Sequence, residues 1–332
     1  VLGLQDPKTL VTGFDRQNLF FAVEHPKSRT RYLQHYVADH EKESGIIYCA
    51  TRKNVEKVYE MLQREGLAVT RYHAGLTSEE RQKNQDDFIY DQKPVIVATN
   101  AFGMGIDKSN VRYVLHYNMP QCMENYYQEA GRAGRDGEPA DCILLYSAQD
   151  IMINRFLLEN KEENPNFTED ELMTIRERDE QRLQTMNFYC NTKECLRSYI
   201  LRYFGEESRG ACGKCGNCQK HYVEKDMTRE ARQVIACVEE LEERYGINVV
   251  VGTLLGGKSA KLREYRVERY PSYGTLNKMR EQEIKDLIGQ MIQDGYLKQT
   301  RDKYALLQTT GRAEDLIDGI CTVTVKMEPK SR

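Results

Sequence analysis

The chain has 332 residues, with 48 basic against 51 acidic side chains and a formal net charge of −3. That length accommodates two or three domains, and that charge balance excludes a uniformly basic nucleic-acid coat, so any contact with DNA must come from local patches. No apolar run approaches the length of a membrane span, and no basic-then-apolar signal pattern follows Val1, which predicts a soluble, cytoplasmic chain without a membrane partner.

From Asn18 to Ala148 short apolar strands alternate with helical patterns. Strands are predicted near 18–23, 45–49, 68–72, 94–98, 111–117 and 140–146, and helices near 28–38, 52–65, 78–90 and 121–130. Thr77 or Ser78 caps the third helix, with Glu80 close behind. Alternation at this spacing implies a mainly parallel sheet with helices on both faces. Such sheets place ligands at the carboxyl ends of their strands, where the turns after Cys49, Ala98 and Tyr117 fall.

Residues 150–205 change to a long, charged helical pattern without strand signal. Ten cysteines are present; five are scattered singly as reduced core thiols usually are, whereas five gather between 190 and 218. Cys195, Cys212, Cys215 and Cys218 read C-x16-C-x2-C-x2-C. Paired C-x2-C spacing lets thiolates converge on one tetrahedral ion, so a structural zinc is expected, with an iron-sulfur cluster or free thiols as alternatives. Cys190 and His221 lie close enough in sequence to compete for the fourth position. From Met227 to about Leu307 a third pattern follows: an amphipathic helix over 229–245, a short apolar stretch over 249–255, a helix over 282–294 and two short strands around Arg301–Lys303. This pattern predicts a winged helix. Residues 320–332 are expected to be a frayed tail.

The most informative stretch is residues 126–138, YYQEAGRAGRDGE. Gln128, Gly131, Arg132, Gly134 and Arg135 spell Q-x-x-G-R-x-G-R, which suits either a solvated basic turn or a pair of guanidinium groups clamping phosphoryl oxygens. Upstream, PVIVATNAFGMGID (94–107) runs an apolar strand into a turn with Thr99, Gly103, Gly105 and Asp107. GIIYCATRKNV (45–55) gives a second strand and helix start, and RYHAGLTSEER (71–81) lies between them.

In order and spacing these four segments resemble the second RecA-like domain of the RecQ family of DNA helicases, and the resemblance runs from about residue 14 to residue 310. It implies an α/β RecA-like domain (17–149) behind a connector (1–16), then a helical zinc-binding subdomain (150–226), a winged-helix domain (227–319) and a tail (320–332). It also implies a carboxyl-terminal fragment of an ATP-dependent 3′ to 5′ helicase acting in recombination and repair on single-strand/duplex junctions, located in the cytoplasm or at a bacterial nucleoid. In such an enzyme Arg132 and Arg135 reach the terminal phosphate, Gln128 orients them, and Gly105 and Asp107 lie near the nucleotide. Thr51, Arg52 and Thr99 touch the single strand, although Thr51 equally suits a helix cap. The resemblance favours Cys195 as the fourth zinc ligand. ATP and Mg²⁺ are then expected only with a first motor domain, so this chain alone should bind DNA and zinc without hydrolysing ATP. The alternative is a non-catalytic, zinc-containing winged-helix adaptor, which would not need both motif arginines.

Residues 252–259, GTLLGGKS, satisfy the phosphate-loop pattern with Lys258 as the lysine. A phosphate loop requires further strands and an acidic strand end for Mg²⁺, and no apolar run ending in paired acids follows Ser259. Residues 258–280 instead hold seven basic side chains against two acidic ones, with Tyr265, Tyr270 and Tyr273 interleaved. Lys258, Ser259, Lys261, Arg263, Arg266 and Arg269 are therefore candidate phosphate contacts. Ser259 and Lys261 fall where RecQ-type winged helices touch the DNA backbone. At the hairpin tip, where some relatives carry an aromatic wedge, Arg301, Asp302 and Lys303 are charged and Tyr304 is the nearest aromatic.

Overall fold

The computed structural model describes residues 13–103, 108–160, 167–207, 210–300 and 305–327. They form two compact units that divide between Lys220 and His221.

In the first unit the chain runs β1 (Leu19–Glu24), α1 (Arg29–Asp39), β2 (Ser44–Tyr48), α2 (Arg52–Arg64), β3 (Val69–Tyr72), α3 (Ser78–Ile89), β4 (Val95–Ala98), β5 (Val111–His116), α4 (Met123–Ala130) and β6 (Ala140–Leu145). All six expected strands are present and pair in parallel, in the order β1-β6-β5-β2-β4-β3. Because side chains alternate along a strand, β2 sends Ile46 and Tyr48 to one face and Ile47 to the other. Val55, Val58 and Leu62 of α2 recur at helical spacing and seal the second face with Leu33 and Val37 of α1. Helix α3 begins with a reciprocal capping box between Thr77 and Glu80, as the sequence leads one to expect.

The first face is closed by Phe88, Met123 and Tyr126 together with residues from further along the chain. Those follow as α5 (Gln149–Glu159), α6 (Glu169–Asn191), α7 (Leu196–Tyr203) and α8 (Gly216–Gln219). Leu183, Met186, Tyr189, Leu196, Ile200 and Cys215 belong to the same apolar cluster as Phe21 and Leu144 of the sheet. Among the described residues the cysteine-bearing lobe therefore has no separate core; it completes the RecA-like one. An ion pair fastens the junction: Asp150 of α5 is fully buried, receives the Arg29 guanidinium at 2.7 and 2.8 Å, and accepts from the Met119 backbone and the Asn118 amide.

The second unit contains β7 (Val223–Asp226), α9 (Thr228–Glu240), α10 (Ile247–Leu255), α11 (Ala260–Glu264), a 3-10 turn at Val267–Arg269, α12 (Glu281–Gln293), the hairpin β8 (Leu297–Gln299) and β9 (Leu307–Thr309), α13 (Arg312–Ile317) and β10 (Thr324–Met327). Helices α9, α10 and α12 around one core, followed by the antiparallel hairpin, make a winged helix. The structure fills in the sequence reading in two places and corrects it in one. The apolar stretch over 249–255 is part of helix α10, buried along most of its length. The wing strands flank 301–303 as expected, and the expected tip residues Arg301, Asp302, Lys303 and Tyr304 lie outside the described residues. Residues 320–327 are not a frayed tail: Val323 and Val325 are buried, and β10 pairs antiparallel with β7. Strand β7 thus joins the winged helix, and the units divide ahead of the expected boundary at 226/227. Among the described residues no helix is long and apolar enough to cross a membrane.

Candidate functional site

Three turns meet at the carboxyl edge of the sheet. The ladder runs on past the strands, with Cys49 donating to the Ala98 carbonyl at 2.8 Å, Tyr117 to Tyr48 at 2.8 Å and Thr99 to Tyr72 at 3.1 Å. Thr51 caps α2 by accepting from the Asn54 amide at 3.2 Å, which leaves Arg52 exposed on the first helical turn. Thr99 is buried directly after β4. Gly105 and Asp107 lie outside the described residues.

Helix α4 carries Gln128 on its exposed face and runs into the G-R-A-G-R turn. That turn is held from behind. Arg16 donates to the carbonyls of Gly131 (3.0 Å), Ala133 (3.0 Å) and Gly134 (2.6 Å), and the Asn18 amide donates to Gly134 and Glu138, each at 2.8 Å. Gly134 adopts φ 53°, and a Cβ there would strike the Glu138 carbonyl and the Asn18 amide, so only glycine fits. Ala130 and Ala133 bury completely, which anchors the turn. Arg135 projects from it exposed, whereas Arg132 folds inward to 8% exposure.

Arg132 Nη1 donates to the Gly103 carbonyl at 2.5 Å, while its buried Nε has no partner among the described atoms. The adjacent Phe102 carbonyl accepts from the Tyr48 hydroxyl at 3.2 Å. Burial drives the Tyr48 hydroxyl pKa far above its ordinary value, and the Arg132 charge only partly opposes that. The hydroxyl therefore stays protonated beside a permanent cation. Nearby, His116 and Glu129 form a buried pair at 2.9 Å, with His116 stacked against Tyr48. These three line a cavity of about 50 Å³ together with Asn118, Asn125 and Cys49.

Sequence reasoning passes over Arg16 as a turn clamp and over Arg197 altogether. Arg197 lies in the first turn of α7 and is buried. A signal existed in its place two residues beyond Cys195, where a charged side chain beside a metal ligand must find partners.

The four cysteine sulfurs converge to within 4.8 Å of one another. Cys195 to Cys215 is 3.9 Å and Cys212 to Cys218 is 4.0 Å, close to the ~3.8 Å edge of a tetrahedron with ~2.3 Å metal-sulfur bonds. Backbone amides of Ser198, Cys212, Lys214 and Cys218 point at the sulfurs at 3.3–3.4 Å, an outer shell that favours thiolate. Burial raises the Cys195 thiol, but hydrogen bonds from Ser198 and Cys212 outweigh it and bring it down to about 6, whereas burial and the neighbouring thiols hold Cys212 and Cys218 above the ordinary thiol value. Four thiolates with no open position fit a structural zinc ion. Cys190 is not a competitor: its side chain is buried in the sheet core. His221 is exposed in the second unit.

In the winged helix Lys258, Lys261, Arg263, Arg266 and Arg269 are all exposed. Ser259 caps α11 by accepting from the Leu262 amide at 3.4 Å, and Arg269 lies over the Tyr270 ring and bonds its hydroxyl at 2.7 Å. The phosphate-loop match is half helix and half a closed turn. Gly252 to Leu255 are helical, and the amides of Gly256 and Gly257 donate back to Thr253 (2.9 Å) and Gly252 (2.8 Å). No cradle of free amides faces outward from those two glycines.

A parallel RecA-like sheet bearing a paired-arginine turn, joined to a four-thiolate lobe and a winged helix, is the architecture of a helicase motor half with its DNA-binding appendage. Residues 28–137 match the helicase conserved C-terminal domain, residues 148–219 the RecQ zinc-binding domain and residues 221–332 the RQC domain. The chain belongs to the RecQ family of DNA helicases. It is 40% identical over 325 residues to the ATP-dependent DNA helicase RecQ of Bacillus subtilis, covering 98% of this chain and 54% of the relative. For the Pasteurella multocida protein of the same name the values are 34%, 96% and 49%. For the RecQ-like DNA helicase BLM of Xenopus laevis they are 36%, 79% and 21%. The chain spans about half the length of the two bacterial relatives.

Proposed function

We propose that this chain supplies the second motor domain and the duplex-binding surface of an ATP-dependent DNA helicase that unwinds single-strand/duplex junctions in recombination and repair. The observation that carries the reading is the inward-folded Arg132 beside the exposed Arg135 on a turn clamped by Arg16. The printed names of the relatives agree with it.

ATP bound with Mg²⁺ on a facing RecA-like domain supplies the phosphoryl group and the free energy. The part of this chain is electrostatic. Arg135, and Arg132 once drawn off the Gly103 carbonyl, neutralise charge on the terminal phosphate, with Gln128 alongside. The turns bearing Thr51, Arg52 and Thr99 sit at the sheet edge where a single strand can be gripped, and shifting them against the facing domain moves the strand. A 3′ to 5′ direction rests on family resemblance. Lys258, Ser259, Lys261, Arg263, Arg266 and Arg269 hold duplex phosphates without reading sequence. The zinc ion holds the lobe together and takes no part in hydrolysis. By itself the chain binds DNA and zinc but does not turn over ATP.

The test is hydrolysis by Arg132→Ala and Arg135→Ala in an enzyme that pairs this chain with a nucleotide-binding RecA-like domain. Turnover should fall by about a thousandfold in each with DNA affinity retained. Wild-type turnover in both would remove the motor reading and leave a DNA-binding adaptor.

A further inference from the structure

We propose that Arg197 and Arg16 are positioning residues which tie the arginine turn to the zinc lobe, so that the metal site sets the aim of Arg132 and Arg135. The inference rests on the motor reading above.

The connection can be followed atom by atom. Helix α7 starts at Cys195, a zinc ligand, and Arg197 sits in its first turn. The buried Arg197 guanidinium donates from Nη1 to Asp15 Oδ1 and to the Arg16 carbonyl, both at 2.7 Å, and from Nη2 to the Leu19 carbonyl. Its fork therefore fixes the backbone of residues 15–19 where that segment enters β1. Arg16, pinned through its own carbonyl, turns its fork the other way, onto the carbonyls of Gly131, Ala133 and Gly134. These flank Arg132 on both sides.

Helix α4 ends at Ala130, and the turn carbonyls just beyond it, Gly131, Ala133 and Gly134, all accept from the one Arg16 group. A planar fork fixes orientation where a lysine would supply only a point charge. The lobe is braced in turn. Asn217, between two zinc ligands, donates to the carbonyls of Thr192 and Glu194 at 2.7 and 2.8 Å, and α8 abuts Ala22 of β1. Neither Arg16 nor Arg197 bears a motif role in phosphate contact; both act through the turn.

The experiment compares Arg16→Lys, Arg197→Lys and Arg132→Ala in the same two-domain enzyme. It records kcat, KM for ATP, DNA affinity, zinc content and deuterium exchange at the Gly134 amide, which donates to Val111 at 2.8 Å. In Arg16→Lys, kcat should fall by roughly tenfold to a hundredfold, the penalty of misplacing a catalytic group by about an ångström. KM, DNA affinity and stoichiometric zinc should be unchanged, and Gly134 should exchange faster. Arg197→Lys should reproduce this pattern; if it loses zinc through misfolding, Arg16→Lys alone decides. Wild-type kcat in Arg16→Lys while Arg132→Ala is inactive overturns the relay and leaves the motor reading standing. Lost kcat with unchanged Gly134 protection also overturns it. Wild-type kcat in both Arg16→Lys and Arg132→Ala overturns the motor reading itself, and the relay with it.

Discussion

The Arg132 guanidinium and the Gly103 carbonyl meet at 2.5 Å, joining the turn after α4 to the turn after β4. Gly103 adopts φ 129°, and a Cβ built on it would fall onto the Arg132 guanidinium. Two motif segments separated by 29 residues in sequence thus meet in a contact that tolerates no side chain on one partner.

Gly103→Ala should therefore be costly twice over, through the left-handed backbone and through displacement of Arg132. A loss of about 1–3 kcal/mol in unfolding free energy is expected, measured by urea denaturation of the chain. In the two-domain enzyme, hydrolysis should fall as in Arg132→Ala. Wild-type stability together with wild-type turnover would show that the contact is dispensable.

Asp150→Ala removes the buried carboxylate that Arg29, Asn118 and the Met119 amide share. Breaking a buried pair from one side costs roughly 3–5 kcal/mol; because the Arg29 side chain keeps 17% of its exposure, the lower end is expected. Thermal unfolding monitored by circular dichroism checks this, and a melting temperature equal to wild type would refute it.

Zinc should be present at one ion per chain and should be lost in Cys212→Ser and Cys215→Ser. Metal affinity is folding free energy in such sites, on the order of 10 kcal/mol in small zinc peptides, and Cys215 lies in the shared apolar core. Elemental analysis and calorimetry with and without a chelator measure both effects. Stoichiometric zinc retained in either variant would disprove the ligand set.

Lys261→Ala and Arg263→Ala should weaken duplex binding, each reducing the slope of log affinity against log salt by about 0.9. Titration with labelled forked and blunt DNA across a salt series isolates the term. Lys258→Ala should weaken DNA binding without any effect on nucleotides, because the Gly256 and Gly257 amides are already bonded within the protein. Nucleotide binding abolished by Lys258→Ala would reverse that assignment.

The sheet was legible because its strands are short, apolar and separated by turn chemistry, as in Ile46–Tyr48 or Val95–Ala98; its order was not, since β1 pairs with β6 and β2 pairs with β5 and β4, none of these pairs consecutive in the chain. The four cysteines were legible because thiolate spacing admits few geometries. The apolar run over 249–255 was legible as an element of the winged helix, and burial on most sides lets its β-branched residues sit in a helix. Strand β10 was hidden because its partner, β7, lies some hundred residues away and neither is apolar enough to announce itself. Arg16 and Arg197 were hidden for a different reason. Arginine in a sequence reads as surface charge, and only the fold reveals that both forks point at backbone carbonyls.

The pairing of Met327 with Val223 has an architectural consequence. The first and last described strands of the winged-helix unit lie on facing rungs of one two-stranded ribbon, about 5 Å apart. A polypeptide can therefore enter and leave this unit through a single doorway.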